Sequence, residues 1–290
     1  MTAHHGCSGA RRPEGVKPLR ACQKAFPVSR YDFRSPRLYV EGPLKAGAEL
    51  PLNTSQAHYL RNVLRLKPGD GVLVFDGRDG EWRASLLAGG RRAVLTVGEQ
   101  ARPQTEPTDL HYLFAPLKHE RLDYVVQKAV ELGVSRLQPV TTQHTQVSRI
   151  NLERMRANAV EAAEQCGVLS IPEIGAPLTL ARMLAGRKPD RLLVFCDEAA
   201  EVKDPIAALA AARPAPTAML PLTMASASGP QPLALLIGPE GGFSEDERAA
   251  LLKQTNIVRL SLGPRILRAD TAAVAALTLV QAVLGDWKKA

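Results

Sequence analysis

Two glycine-bearing segments near the C-terminus carry the residue types best able to do chemistry. The first reads Leu235-Leu236-Ile237-Gly238-Pro239-Glu240-Gly241-Gly242-Phe243-Ser244-Glu245-Asp246-Glu247, an apolar strand running through a glycine-rich loop into a helix. Ser244 and Glu247 have the spacing of a capping box. Glycines let a ligand approach the backbone closely and leave amides free to donate. The loop has neither the Gly-Lys-Ser/Thr of a phosphate loop nor a Gly-x-Gly-x-x-Gly fingerprint. Taken alone, it serves equally well as a tight strand–helix turn. The second segment reads Leu260-Ser261-Leu262-Gly263-Pro264-Arg265-Ile266-Leu267-Arg268-Ala269-Asp270-Thr271. Arg265 and Arg268 so close to an apolar run either solvate the surface, satisfy buried carbonyls, or grip a phosphate or a polarised base oxygen. Asp270 is placed to cap the helix that follows.

The elements that position these turns follow from periodicity. From Leu110 onward strands alternate with helices. Strands are expected over Leu110–Ala115, Val134–Val140, Leu192–Cys196, Leu233–Ile237 and Ile257–Leu262. Helices are expected through Leu122, Val125, Val126, Ala129 and Val130 with Gly133 as the end, from the cap Asn151 to Cys166 with Gly167 as the stop, near Ile206–Ala212, over Glu245–Gln254 and over Thr271–Leu284. This alternation predicts an α/β domain with a mostly parallel sheet, whose ligands sit at the carboxyl ends of the strands. The five prolines between Arg213 and Pro232 predict a long surface loop. Ahead of Arg102–Pro107, which reads as a linker, residues 36–102 predict a small β-barrel-like module. It holds a helix capped by Ser55 and reaching Leu64, a strand Val72–Phe75, a loop Gly77–Gly80 and an alternating strand with Trp82, Ala84 and Leu86 on one face. Glu81, Arg83 and Ser85 take the other face.

Charge is unevenly placed in this 290-residue chain of net charge +8. Residues 1–35 carry seven Lys/Arg against two Asp/Glu, residues 36–102 ten against seven, and residues 103–290 twenty of each. The surplus sits in the first third, which suits a polyanionic partner. Residues 1–35 lack a sustained period and read as a disordered basic extension. Cys7, Cys22, Cys166 and Cys196 show no metal or redox spacing and read as free thiols of a reducing compartment. No apolar stretch is long enough for a membrane span, and no signal peptide is visible, so a cytoplasmic location is expected.

Together the two turns resemble the RsmE family of ribosomal RNA uridine methyltransferases of the SPOUT class. The resemblance extends through His58-Tyr59-Leu60-Arg61-Asn62-Val63-Leu64-Arg65, Phe75-Asp76-Gly77, Lys118, Lys128-Ala129-Val130-Glu131-Leu132-Gly133-Val134 and Glu161-Ala162-Ala163-Glu164-Gln165-Cys166-Gly167. It implies a knotted SPOUT-type α/β domain over 108–290, preceded by a PUA-like RNA-binding domain over 36–102. It implies S-adenosylmethionine held by Cys196, Ile237, Gly238, Gly241, Gly242, Leu262, Gly263, Ile266 and Leu267. Arg268 and Glu240 are then the catalytic candidates. His58, Arg61, Arg65, Lys118 and Arg265 are the RNA-contact candidates, with Arg61 and Arg65 one helical turn apart. The implied reaction is methyl transfer to N3 of a uridine in 16S ribosomal RNA, within the assembled small subunit, by a homodimer without a metal. The chain departs from the family pattern at Val168, His144-Thr145 and Ala269-Asp270, which puts RNA contacts of the α/β domain in question. The alternatives are a SPOUT enzyme acting on another RNA or on a ribose hydroxyl, and a non-catalytic RNA-binding assembly factor.

Overall fold

The computed structural model describes residue 32 and residues 34–87, 93–147, 149–201, 204–213 and 231–288. The expected disordered extension and most of the expected proline-rich loop fall outside the described residues. Residues from 34 onward belong to one compact unit.

The first part of that unit is a five-stranded sheet. It is built from β1 (Arg37–Tyr39), β2 (Glu49–Pro51), β3 (Gly71–Phe75), β4 (Glu81–Leu86) and β5 (Val94–Arg102) in the order β1-β3-β4-β5-β2. β1 lies parallel to β3, and the other pairs are antiparallel. Leu38, Val40, Leu60, Val72, Val74, Leu95 and Val97 form its core. A short helix, α1 (Thr54–His58), joins β2 to β3. Its cap is Asn53, not the expected Ser55. The Asn53 side chain accepts from the Gln56 amide at 2.8 Å, while the Gln56 side chain accepts from the Asn53 amide at 3.0 Å.

The expected α-helix to Leu64 changes pitch halfway. Tyr59–Val63 is a π-helical turn, closed by the Leu64 amide donating to the Tyr59 carbonyl. A second difference concerns Glu81, expected on the solvent face of β4. It is 2% exposed, because Arg37 Nε (2.9 Å) and Arg102 Nε (2.8 Å) both pair with its carboxylate. A buried carboxylate is tolerated when charge and hydrogen bonds compensate it.

The second part is a sheet with helices on both faces. In chain order it comprises β6 (Leu110–Phe114), α2 (His119–Glu131), β7 (Arg136–Thr141), α3 (Leu152–Cys166), β8 (Glu173–Ile174), β9 (Leu178–Thr179), α4 (Leu180–Gly186), β10 (Leu192–Cys196), α5 (Pro205–Ala211), β11 (Leu233–Ile237), α6 (Glu245–Leu252), β12 (Ile257–Leu260) and α7 (Ala269–Val283). The strand order is β12-β10-β11-β6-β7-β8, with β9 beside β7, and every pair is parallel. Strand alternation splits the core in two. Tyr112, Phe114, Val194 and Leu235 face α2, α3 and α7. Leu113, Phe195 and Leu236 face α4 and α6. The elements β8, β9 and α4 had no sequence expectation, and the two strands are only two residues each. The stop at Gly167 is as expected, with φ 63° closing α3. The cap of α7 differs: Arg268 occupies the N-cap position, and Asp270 lies inside the first turn, accepting the Thr271 amide at 2.9 Å.

Candidate active site

β12, β10 and β11 are adjacent and parallel, so the loops that follow them leave the same edge of the sheet. This is where open parallel sheets place ligands. The three loops begin at Asp197, Gly238 and Ser261.

The loop after β11 is shaped by its glycines and by α6. Ser244 and Glu247 form the expected capping box, which pins the loop's far end. Gly242 has φ 70°, and a Cβ there would lie 2.5 Å from Glu198 Oε1. A side chain at Gly238 would meet the Phe243 ring at 2.9 Å. Phe243 itself packs edge-on against Phe195 of β10. A fourth strand end, that of β7, closes in from the side. His144 Nδ1 lies 3.1 Å from the carbonyl oxygens of both Gly241 and Gly242. The Gln143 amide donates to Glu247 at 2.8 Å. Thus His144, one of the departures from the family pattern, braces the glycine loop.

The loop after β12 is open. Gly263 has φ 96°, with nothing within 4 Å of a Cβ built there. No hydrogen-bonded turn forms between Ser261 and Arg268, and the amides of Gly263, Ile266 and Leu267 have no acceptor among the described residues. Ile266 is fully exposed, whereas Leu262 packs partly against the core. Free amides, open space and an exposed aliphatic side chain are the groups that can contact a flat heteroaromatic ligand. Cys196 closes β10 beside it. Burial pushes its thiol up to about 12, so it is a neutral wall and not a nucleophile.

The two catalytic candidates stand on different loops. Arg268 is exposed and has no side-chain partner among the described residues. Glu240 is ion-paired with Arg121 of α2. Both Glu240 and Arg121 line a cleft of about 430 Å³, together with Lys118, His144 and Gln146. Arg121 and His144 were not foreseen as site residues. Arg121 lies in no motif, and His144 is marked only as a departure from the family pattern; only tertiary approach brings them to the loop. Behind the site, Asp197 accepts from Arg259 (2.8 Å) and pairs with Arg248 (3.2 Å), which anchors the loop after β10.

The RNA candidates divide. Lys118 joins the cleft, and Arg265 is exposed on the loop after β12. His58, Arg61 and Arg65 stay on the small domain, but not as one helical face. Arg65 lies beyond the π-turn with φ 56°, so the one-turn spacing to Arg61 is lost. The cause is the wider i→i+5 closure of that turn.

Comparison with known proteins agrees with this arrangement. A family model described as an RNA methyltransferase domain matches residues 104–281, and one described as an RNA methyltransferase PUA domain matches residues 52–97. The chain is 34% identical to the ribosomal RNA small subunit methyltransferase E of Synechocystis, over 82% of this chain and 74% of that one. It is 29% identical to the protein of the same name from Rickettsia conorii, covering 84% and 94%. Among solved structures, ribosomal RNA small subunit methyltransferase E of Neisseria gonorrhoeae, bound to S-adenosyl methionine, superposes with a TM-score of 0.70 at 25% identity, covering 87% and 99%. The fold and these matches thus define an RNA methyltransferase carrying a PUA domain. Within that class, the chain belongs to the RsmE family.

Proposed function

We propose that this protein transfers a methyl group from S-adenosylmethionine to N3 of a uridine in 16S ribosomal RNA of the small subunit. One observation carries the reading: in a chain of this family, the glycine loop after β11 and the open loop after β12 leave one sheet edge on either side of β10, the second with the amides of Gly263, Ile266 and Leu267 unpaired among the described residues. The fit to the cofactor rests on those amides and on the space over Gly263. Gly263, Ile266 and Leu267 would hold the adenine by backbone donors and apolar cover. Cys196, Ile237, Gly238, Gly241, Gly242 and Leu262 would form the walls. The cofactor supplies an electrophilic methyl group.

The protein's own task is to make a poor nucleophile reactive. Uridine N3 carries a proton at neutral pH, and its release to solvent water places negative charge on the two flanking carbonyl oxygens. Arg268 can take that charge through a planar, permanently charged guanidinium. Glu240, oriented by Arg121, lines the cleft next to the glycine loop and can position the base. Lys118 and Arg265 add positive charge for the backbone on either side. The target base must leave its stack to reach the site.

The same proposal includes a homodimer, a cytoplasmic location and a trefoil knot. Exposed Trp287 supports the dimer. No helix among the described residues is long and apolar enough to cross a membrane. The path from β11 past β10 to β12, then back through α7 onto β11 and α2, supports the knot.

The test is incubation of the protein and S-adenosylmethionine with small subunits lacking the modification, followed by reverse transcription. Methylation at N3 blocks pairing, so a cofactor-dependent stop one nucleotide short of a single uridine is the expected result. Cofactor binding without a stop would redirect the reading to another RNA or a ribose hydroxyl. Absence of both would leave a non-catalytic assembly factor.

A further inference from the structure

We propose that the cleft between the small sheet and α3 binds a second, unstacked RNA nucleotide, whose base presents its N–H edge to the carboxylate of Asp76. The proposal rests on the RNA methyltransferase reading above. It adds a recognition site built from residues that the proposed reaction does not use.

Asp76 ends β3, and its side chain is 1% exposed. Oδ1 accepts the amides of Arg78 (2.9 Å) and Asp79 (2.8 Å), which shapes the turn into β4. Oδ2 is buried and has no hydrogen-bond partner, although Arg78 Nε approaches to 3.6 Å. A buried carboxylate oxygen without a donor is costly, and native proteins retain such a group where something else satisfies it. Here the carboxylate lines a cleft of about 810 Å³ whose walls include Tyr39, Arg78, Gln104, Arg156 and Ile171.

The chemistry of those walls selects the ligand. Tyr39 and Ile171 offer ring and aliphatic surface for a base. Arg156 projects from α3, is exposed, and has no partner among the described residues. Arg78 is three-quarters exposed, so its guanidinium can swing off Asp76 toward a phosphate. Ring and aliphatic surface in a largely polar cleft, a buried acceptor and two exposed arginines match the needs of a splayed nucleotide. The acceptor also discriminates between bases. Guanine offers two adjacent N–H groups, and adenine and cytosine each offer an amino group. The single N–H of uracil is flanked by carbonyl oxygens that the carboxylate would repel. Glu41 and Glu106 also line the cleft, but no cluster among the described residues has the makings of a metal site, which disfavours a bare cation. The cleft shares no lining residue with the one at Glu240. The target uridine and this nucleotide would therefore be held by different walls of the protein.

The deciding variant is Asp76→Asn. It keeps an oxygen for the two turn amides and replaces the unpartnered oxygen with an NH2 group, which faces the base as a donor. With unmodified small subunits as substrate, KM is expected to rise roughly ten- to a hundredfold, the range for a hydrogen bond to a charged group. Values of kcat, cofactor affinity and Tm should match the wild type. Chemical footprinting should show one nucleotide, other than the methylated uridine, protected by the wild type and exposed with Asp76→Asn. Arg156→Ala, a surface change that leaves the turn intact, should raise KM several-fold and flatten its salt dependence by about one phosphate contact. Wild-type KM and footprint in both variants would overturn the proposal while leaving the methyltransferase reading intact. A wild type that neither binds nor methylates the subunit would overturn both.

Discussion

At the residue scale, the site separates charge stabilisation from shape. Arg268 has no partner among the described residues, so its guanidinium is available to developing charge on the base. Arg268→Ala should lower kcat by about 10²- to 10³-fold, as expected for loss of one electrostatic donor. Cofactor affinity, read by calorimetry, should be unchanged, and an equal loss of both would place Arg268 in cofactor binding instead. Gly242 is needed for shape. Its φ of 70° disfavours any L side chain by about 1–2 kcal/mol. The Cβ of Gly242→Ala would press on Glu198, whose exposed end can move away. The backbone preference therefore dominates. The variant should show a lower Tm and weaker cofactor binding, and wild-type affinity would exclude the loop from the cofactor site. Residues of this kind were legible in the sequence because glycines and arginines beside an apolar strand are conspicuous. Arg121 and His144 were not legible, because they reach the loop from elements more than ninety residues earlier in the chain.

At the element scale, the arginine pair on Glu81 ties three strands of the small sheet together. Arg37 belongs to β1, Glu81 to β4 and Arg102 to β5, and Arg102 Nη2 also donates to the carbonyl of Gly167 at the end of α3 at 3.0 Å. The network therefore fastens the small sheet to the α/β part. Glu81→Ala leaves two cations against a buried gap, a change of the kind that costs about 3–5 kcal/mol. Urea unfolding should show that loss, and a change under 1 kcal/mol would mean that water or rearranged side chains replace the carboxylate. The same strand marks the limit of reading elements from pattern. Alternation placed Trp82, Ala84 and Leu86 correctly on one face, but it also assigned Glu81 to solvent. Burial of Glu81 depends on two arginines 44 and 21 residues away. The long strands and helices of the α/β part carry their period and stop signals locally, as at Asn151 and Gly167. The two-residue strands β8 and β9 have no period to read. The π-turn at Tyr59 likewise follows from packing, not from a residue code.

At the scale of the whole molecule, acid stability and RNA affinity draw on different charged groups. His111 on β6 sits beside Asp109, Arg191, Arg136 and Lys188. Burial, reinforced by those cations, lowers it from 6.5 to about 4, although Asp109 pulls the other way. The folded state thus holds this imidazole neutral where the unfolded chain would protonate it. Stability is complete above about pH 6.5, falls as pH drops toward about 4, and can lose at most about 3 kcal/mol through this group. Asp109, held below its usual value by Arg191 despite its own burial, adds a further loss only at more acid pH. His111→Gln should flatten the pH 4–6.5 limb of the Tm profile, and an unchanged limb would assign it to other groups. RNA affinity should instead depend on the first third of the chain. The α/β span 103–290 is electrically neutral, whereas residues 1–35 carry a net +5. Long-range attraction to a phosphate backbone grows with the cations that displace counterions, and salt suppresses it. Deleting residues 1–34 should therefore weaken binding to the small subunit most at low salt. The deficit should shrink as salt rises, with kcat at saturating RNA unchanged, because the loops after β10, β11 and β12 remain intact. Equal salt slopes for the full-length and shortened proteins would mean that the small sheet and the Arg121 cleft supply the phosphate contacts by themselves.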